Sequence, residues 1–365
     1  MSGSEGADIS QILAALDPER CLIFVAAKSL ATVGASAAVA RRWMADALGE
    51  DAVGRHFAAA SVDPDVAAGF GIPADHVFRL WDWVGGRHTI WSTIGLPLLL
   101  AIGPERFGEF LSGARAMDDH FRAAPLDRNM PVILALIGVW YRNVWGYQAQ
   151  AVFSFEERLD LLPAYLQQLD MESNGKRVRI GGATVMSATG PLLVAATGNG
   201  IQAFRQFLHQ GTDVVPCDFL VGALGEANED RGHRSALLAA CLAESEALVR
   251  GRSIVEARSE LAAEGLPHHE IERLAPHRVM PGNRPSNTLL FRRLDPSTLG
   301  MLIALYEHKV FVQSVIWGIN SFDRSASLGE ALAGSLLPII EGRDAAIGRD
   351  STIAGLVDEI RLMRS

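Results

Sequence analysis

Four stretches of this 365-residue chain place side chains that could bind or react where backbone donors converge. Lys28, Ser29 and Thr32 follow the apolar run "LIFV" at 22–25 and precede the helix-like "AAVARRWMADALG". An ammonium, two hydroxyls and free N–H groups could therefore meet an anion such as phosphate. The same order of residues also arises in loops that hold only a solvated lysine and capping hydroxyls. In "WDWVGGRHTIWSTIG" two glycines let the backbone approach a ligand and leave Arg87 projecting beside Thr89 and Ser92, although a purely structural turn would look alike. In "QQLDMESNGK", Glu172 follows a helix and precedes an Asn174-Gly175 turn. That position suits a general base, and it equally suits an ordinary carboxylate at a helix end. In "ATGNGIQAFRQFLHQG" an apolar strand breaks into glycines and opens a helix at Gln202, the kind of junction at which helix dipoles and free N–H groups hold ligands.

The elements that must position these residues are strands alternating with helices. Strand, turn and helix follow one another at "LIFVAAKSLATVGAS" and again at "PLLVAATGNGIQAFRQFLHQG", with a further apolar strand in "TDVVPCDFLVGAL". This predicts an α/β fold of parallel-sheet units with crossover helices. The segment "GPERFGEFLSGARAMDDHFRAAP" reads as a helix framed by Pro104 and Pro125, and it closes a first domain at residue 125. A second domain is expected over 126–300 and a helical segment over 301–365. "APHRVMPGNRPSN" is expected to be an extended loop. The apolar "LGMLIALYEHKVFVQSVIWGI" carries Glu307, His308 and Lys309 at its middle, which reads as a buried helix and not a membrane span.

Composition narrows the partners. The chain is 49% hydrophobic and 21% charged with a net charge of −9, which suits a globular protein and disfavours nucleic acid or an anionic membrane as a general partner. Cys21, Cys217 and Cys241 lack disulfide or zinc spacing. No secretory leader is read at "MSGSEGADIS", so a cytoplasmic location is expected. No histidine and carboxylate set has metal-ligand spacing, and no metal is expected. His209, two turns beyond Gln202, is expected to pack or cap, and His308 to be a hydrogen-bonded core histidine.

Taken together, "WDWVGGRHTIWSTIG", "PAYLQQLDMESNGK", "FLHQGTDVVPCDF", "PGNRPSN" and "YEHKVFVQSVIWGINSFD" resemble the phosphoglucose isomerase family, in order and over nearly the whole chain. The resemblance begins well inside the family's pattern. About the first third of a typical member, including a glycine- and serine-rich phosphate loop, has no counterpart. The resemblance implies two sugar-isomerase domains of three-layer α/β/α type with mainly parallel sheets, the first incomplete, followed by C-terminal helices. It implies a homodimer with sites at the subunit boundary, no cofactor, and a sugar phosphate or related carbonyl compound as substrate. A carboxylate would move a proton between the first two carbons through a cis-enediol. By position Glu172 matches that carboxylate, Arg87 the arginine that stabilises the enediolate, and Gln168 a substrate-contacting glutamine. Lys28, Ser29 and Thr32 fall in the phosphate-binding loop.

The departures from the family concentrate elsewhere. Gln202 stands where the family has a ring-opening histidine reaching over from the partner subunit, and an amide can hydrogen-bond but cannot act as an acid or base near neutral pH. Glu330 stands where the family has a substrate-contacting lysine, Arg324 where it has a glutamine, Ala27 where it has a serine, and His88 where it has an aromatic residue. Positioned acid–base help contributes about 10²–10⁴ in rate, so slow turnover of closed-ring glucose 6-phosphate is expected. An inactive relative, half of a split enzyme, and an isomerase or lyase for an open-chain substrate are the alternatives. The incomplete first sheet is expected to expose an edge that a second copy, or a separate polypeptide supplying the missing part, would cover.

Overall fold

A computed structural model describes residues 6–27, 34–84, 86–226, 229–323 and 328–364. Lys28, Ser29, Thr32 and Arg324 lie outside the described residues, as do the side chains of Ala27 and Glu330. The chain divides into two compact units, Met1–Ser321 and Phe322–Ser365.

In the first unit, α1 (Gly6–Ala14) leads into β1 (Ile23–Ala27) and α2 (Gly34–Leu48). Then come α3 (Val53–His56), β2 (Phe57–Ser61), α4 (Pro64–Gly69) and β3 (Val77–Arg79). Parallel pairing gives a three-stranded sheet in the order β1-β2-β3, with Ile23 opposite Phe57 and Ala59 opposite Val77. Val25, Phe57 and Ala59 send their side chains to one face, against Ile9 and Leu13 of α1 and Ala37, Ala40 and Met44 of α2. The period-2 geometry of a strand sends Phe24, Ala26 and Phe78 to the other face. There Phe24 and Phe78 meet at 6.4 Å between ring centroids, and Ala26 and Phe78 remain exposed.

Three helices follow: α5 (Leu96–Ile102), α6 (Pro104–Ala123) and α7 (Met130–Asn143). Proline occupies the first or second position of each, where its missing N–H costs no intrahelical bond. The Asn129 side chain caps α7 by accepting from Val132 N at 3.4 Å.

The second sheet contains β4 (Ala149–Ser154), β5 (Leu192–Thr197), β6 (Cys217–Gly222) and β7 (Ser286–Phe291), all paired in parallel in the order β5-β4-β6-β7. Its crossovers carry α8 (Leu162–Asn174), α9 (Gln202–Gln210), α10 (Arg231–Arg250), α11 (Ile254–Ala263) and α12 (His268–Arg278). Helices cover both faces, as parallel sheets require. On one side Ala151, Phe153, Cys217 and Phe219 pack with Leu208 of α9 and Cys241 and Leu248 of α10. On the other, Val152 and Leu220 pack with Leu162, Leu166 and Leu169 of α8 and with Leu302, Tyr306 and Val310 of α13 (Pro296–Trp317). The result is a three-layer α/β/α arrangement, the type that the family resemblance implies, built from the parallel strands and crossover helices expected from the alternating pattern.

Two boundaries differ from the sequence reading. Residues 275–278 of the expected loop "APHRVMPGNRPSN" complete α12, and Ser286 and Asn287 already belong to β7. Pro276 lies in the last turn of α12, where its missing N–H forfeits one of the helix's final hydrogen bonds. In addition, α8 continues through Asn174, so Glu172 sits within the helix and not beyond it.

The apolar segment read as a buried helix is α13, which begins at Pro296 behind an Asp295 cap. Length and hydropathy alone would let it cross a bilayer, but its middle is packed inside this unit, with the Lys309 side chain 1% exposed and ion-paired. It meets α6 through glycines. A Cβ at Gly113 would lie 1.9 Å from Ser297 O, and one at Gly300 would lie 2.0 Å from Phe110 O. The second unit contains α14 (Leu328–Ile340) and α15 (Ser351–Arg364), tied by a hydrogen bond from Arg361 Nη2 to Ile339 O at 2.5 Å.

Overpacking a close helix contact costs about 1–3 kcal/mol or more. Gly300→Val is therefore expected to lower the urea midpoint of unfolding by a corresponding amount, and an unchanged midpoint would contradict the close α6–α13 approach.

Candidate active site

Arg87 lies in a 3₁₀ turn, Gly86–His88, that follows β3 and precedes α5. Its side chain is 1% exposed. A buried guanidinium is tolerated only where its N–H groups find acceptors. Nε donates to Ser173 Oγ at 2.5 Å, Nη1 to Glu172 Oε1 at 2.7 Å, and Nη2 to the Ser321 carbonyl just after α13. Thr89 and Ser92 are absorbed in the turn itself, since Thr89 Oγ1 donates to Gly86 O at 2.8 Å and Ser92 Oγ to Thr89 O at 2.6 Å.

Helix α8 carries the carboxylate. With 3.6 residues per turn, Gln168 and Glu172 share one face while Asp170, Ser173 and Asn174 turn inward. Burial follows that division: the inward three are buried and the outward two exposed. Gln168 Nε2 donates to Glu172 Oε2 at 3.2 Å, so both carboxylate oxygens have partners, yet the side chain remains 41% exposed. Gln167, Gln168, Met171 and Glu172 line a cavity of about 440 Å³ with Leu192, Leu193 and Val194 at the start of β5. A larger cavity of about 480 Å³ between α7, α13 and β7 is mostly apolar, lined by side chains such as Met130, Leu290 and Met301, and presents no acid or base.

His88 points the other way from Arg87. Its Nδ1 lies 3.3 Å from Glu307 Oε1, and the same carboxylate accepts from Trp91 Nε1 at 2.8 Å and Tyr165 Oη at 3.1 Å. Burial and the neighbouring Glu307 charge push the Tyr165 phenol far above its usual pKa, so it stays a donor. The turn that bears Arg87 is thereby fastened to α13 and α8 from both sides.

The structure brings Arg87, Glu172 and Gln168 together and leaves Gln202 elsewhere. Gln202 is exposed at the start of α9, beyond the far end of β5, whereas Glu172 lies beside Leu192 at its beginning. The intervening strand, at about 3.3 Å per residue, separates them by roughly 16 Å. Sequence reading also missed Ser173 and Ser321, which complete the cage around Arg87.

The two singled-out histidines are paired. His308 Nε2 lies 2.7 Å from Asp118 Oδ1 and its ring stacks on Phe121 at 4.2 Å. His209 is buried with Nε2 3.2 Å from Glu244 Oε2, and Arg205 holds the other oxygen. Cys217 and Cys241 are buried free thiols, and Cys21 is half-buried. Among the described residues no group of three or more histidine, cysteine or acidic side chains is placed to hold a metal ion.

The hydrogen bond from His209, reinforced by Arg205, holds the Glu244 carboxyl below the usual glutamate range despite partial burial. A depressed carboxyl contributes stability that is present above the unfolded value, about 4.3, and lost as pH falls through the folded one. Glu244→Gln is expected to flatten the acid limb of a stability–pH curve below about pH 4.5. An acid limb of unchanged slope would contradict the pairing.

Comparison with known proteins shows the family of the chain. The sequence pattern of the family "Phosphoglucose isomerase" matches residues 1–357. A glucose-6-phosphate isomerase of Chelativorans sp. (strain BNC1) is 52% identical over 368 residues, covering 100% of this chain and 68% of its own length. One from Brucella melitensis is 53% identical, covering 100% of this chain and 67% of its own. The crystal structure of a glucose-6-phosphate isomerase from Chlamydia trachomatis superposes with a TM-score of 0.82 at 31% identity, over 98% of this chain and 66% of that one. A hypothetical protein from Thermus thermophilus shares the fold, with a TM-score of 0.70 at 24% identity. This chain thus spans about two thirds of the length of its relatives. It belongs to the phosphoglucose isomerase family.

Proposed function

We propose that the protein interconverts an aldose phosphate and a ketose phosphate, with Glu172 as the proton-transferring base and Arg87 as the cation that stabilises the enediolate. The single observation behind this reading is the Glu172 carboxylate, which faces a cavity while a buried guanidinium holds its other side at 2.7 Å. In the forward direction Glu172 removes the proton from C2 of the open-chain aldose. The C–H electrons form the C1–C2 double bond, and the aldehyde oxygen becomes an oxyanion. Glu172 then returns the proton to C1 while the hydroxyl proton on O2 passes to the O1 oxyanion, so that the ketone forms at C2 and O1 ends as a hydroxyl. A fixed positive charge lowers the barrier because it already points to where the oxyanion develops. Gln168 orients the carboxylate and would contact the sugar, and Lys28, Ser29 and Thr32 would take the phosphate.

Ring opening is the step on which the substitutions at Gln202 and Glu330 bear. Gln202 can hydrogen-bond but cannot act as acid or base, and it lies past the far end of β5, so any part it plays beside Glu172 needs a second copy of the chain. We therefore place the site in a homodimer in the cytoplasm. The outer edge of β1, which pairs with no other strand among the described residues, and the partly open face at Phe24, Ala26 and Phe78 would be covered by that second copy or by a polypeptide equivalent to the remaining third of the relatives' length. The replacements at Gln202 and Glu330, against the retention of Glu172 and Arg87, favour one second reading: proton transfer on an open-chain carbonyl substrate.

A coupled assay from fructose 6-phosphate to glucose 6-phosphate is expected to show turnover that Glu172→Gln reduces about 10²–10⁴-fold. Gln202→His combined with Glu330→Lys is expected to raise kcat at least tenfold. Turnover indifferent to Glu172→Gln would refute the assignment of the base.

A further inference from the structure

The inward face of α8 ends in a buried polar chain that the reaction as written does not use. Lys309 on α13 is 1% exposed, with Nζ 3.1 Å from Gln150 Oε1 and 3.2 Å from Asp170 Oδ2. Gln150 continues the chain to Asp218, which accepts from Gln150 Nε2 at 3.1 Å, Asn287 Nδ2 at 2.7 Å and Tyr306 Oη at 3.3 Å. In the other direction Asn174 Nδ2 donates to Asp170 Oδ1 at 3.3 Å and to Gln313 Oε1 at 3.1 Å. Ser321 Oγ donates to Asn174 Oδ1 at 3.3 Å, and the Ser321 carbonyl accepts from Arg87. An uninterrupted path thus runs from an ammonium in the core to the guanidinium at the site.

We propose that Lys309 is a positioning residue for the Arg87–Glu172 pair, acting through Asp170, Asn174 and Ser321. This rests on the reading of that pair as the proton-transfer site. A buried ion pair contributes little to stability compared with apolar residues of the same volume, because desolvation offsets the attraction. What it does fix is direction. Asp170 and Asn174 are one helical turn apart and flank Glu172 on α8, so holding their side chains sets the rotation of the helix that presents the carboxylate. Lys309 and Gln313 are likewise one turn apart on α13, and each grips one of them. Space for this grip is provided on α7, where a Cβ at Gly138 would lie 2.4 Å from Gln313 Nε2. The Asn174 amide then fixes Ser321, and with it the carbonyl that receives Nη2 of Arg87. A misplacement of about 1 Å at such a site can cost on the order of 10²-fold in rate.

The test uses the full chain with ¹⁵N-labelled arginine, in which the Arg87 Nε–H signal is assigned by its loss in Arg87→Lys. In the wild type this proton, held by Ser173 Oγ, is expected to exchange slowly with solvent. The double variant Lys309→Met with Asp170→Asn replaces the charged pair by neutral groups of similar volume. It is expected to speed Arg87 Nε–H exchange at least tenfold while backbone amides of the second sheet stay within twofold, and to lower kcat at least tenfold with KM within twofold. Ser321→Ala, which removes only the hydroxyl link, is expected to give a smaller but equally selective change and covers the case in which the double variant does not fold. Unchanged Arg87 exchange in either folded variant, or a uniform rise across all amides, would overturn the proposal. If the wild type shows no turnover while the selective change in exchange is present, the positioning role stands and the reaction assigned to the site fails.

Discussion

A buried guanidinium is the constraint on which this site depends. Arg87 cannot lose a proton, and its desolvation costs several kcal/mol unless its donors are met. Its acceptors come from Ser173 and Glu172 on α8 and from the carbonyl of Ser321 beyond α13. The turn after the first sheet, a crossover helix of the second and the end of the longest helix must therefore converge. Together the two sheets bring a fixed cation to within 2.7 Å of a carboxylate that still faces a cavity.

The two faces of α8 divide the labour. Leu162, Leu166 and Leu169 anchor it to the second sheet, and Asp170 and Asn174 fix its rotation through polar bonds of defined direction. What remains for the outer face is Gln168 and Glu172. Apolar packing tolerates small rotations of a helix because dispersion has little angular preference, whereas hydrogen bonds between 3.1 and 3.3 Å do not. The glycines at 113, 138 and 300 serve the same end, since each lets α13 come close enough to its neighbours for Lys309 and Gln313 to reach.

Much of this was legible in the sequence, and the rest was hidden for identifiable reasons. Strand and helix order follows from apolar runs broken by glycine and proline, and the long motifs around Arg87 and Glu172 carry the family. The Arg87 cage and the Lys309 chain were not visible because their members are distant in sequence, as in the separations Arg87–Ser321 and Gln150–Lys309. A signal was nevertheless present. Lys309 and Gln313 stand four apart in a largely apolar helix, and Asp170 and Asn174 stand four apart on α8, a spacing that puts each pair on one face. Glu172 was read as lying beyond its helix because Asn174-Gly175 signals a turn, but Asn174 is held inside by Asp170 and Gln313, and α8 stops only at Gly175. Gln202 marked a generic ligand position at the end of a strand, yet the Arg87–Glu172 pair lies at the opposite end of that strand.

The separation of the proposed proton-transfer pair, Arg87 and Glu172, from Gln202, at the position proposed for ring opening, means that the two steps can be measured apart. Fructose 6-phosphate opens its ring spontaneously, so exchange at C1 reports proton transfer without assistance to ring opening. The most direct measurement is therefore deuterium wash-in from D₂O at C1 of fructose 6-phosphate, followed by NMR with the wild type and with Glu172→Gln. Wash-in that is catalysed by the wild type and lost in Glu172→Gln is the expected result. Wash-in that persists without the Glu172 carboxylate, or a wild type that catalyses none, would contradict the assignment of proton transfer to the Arg87–Glu172 pair.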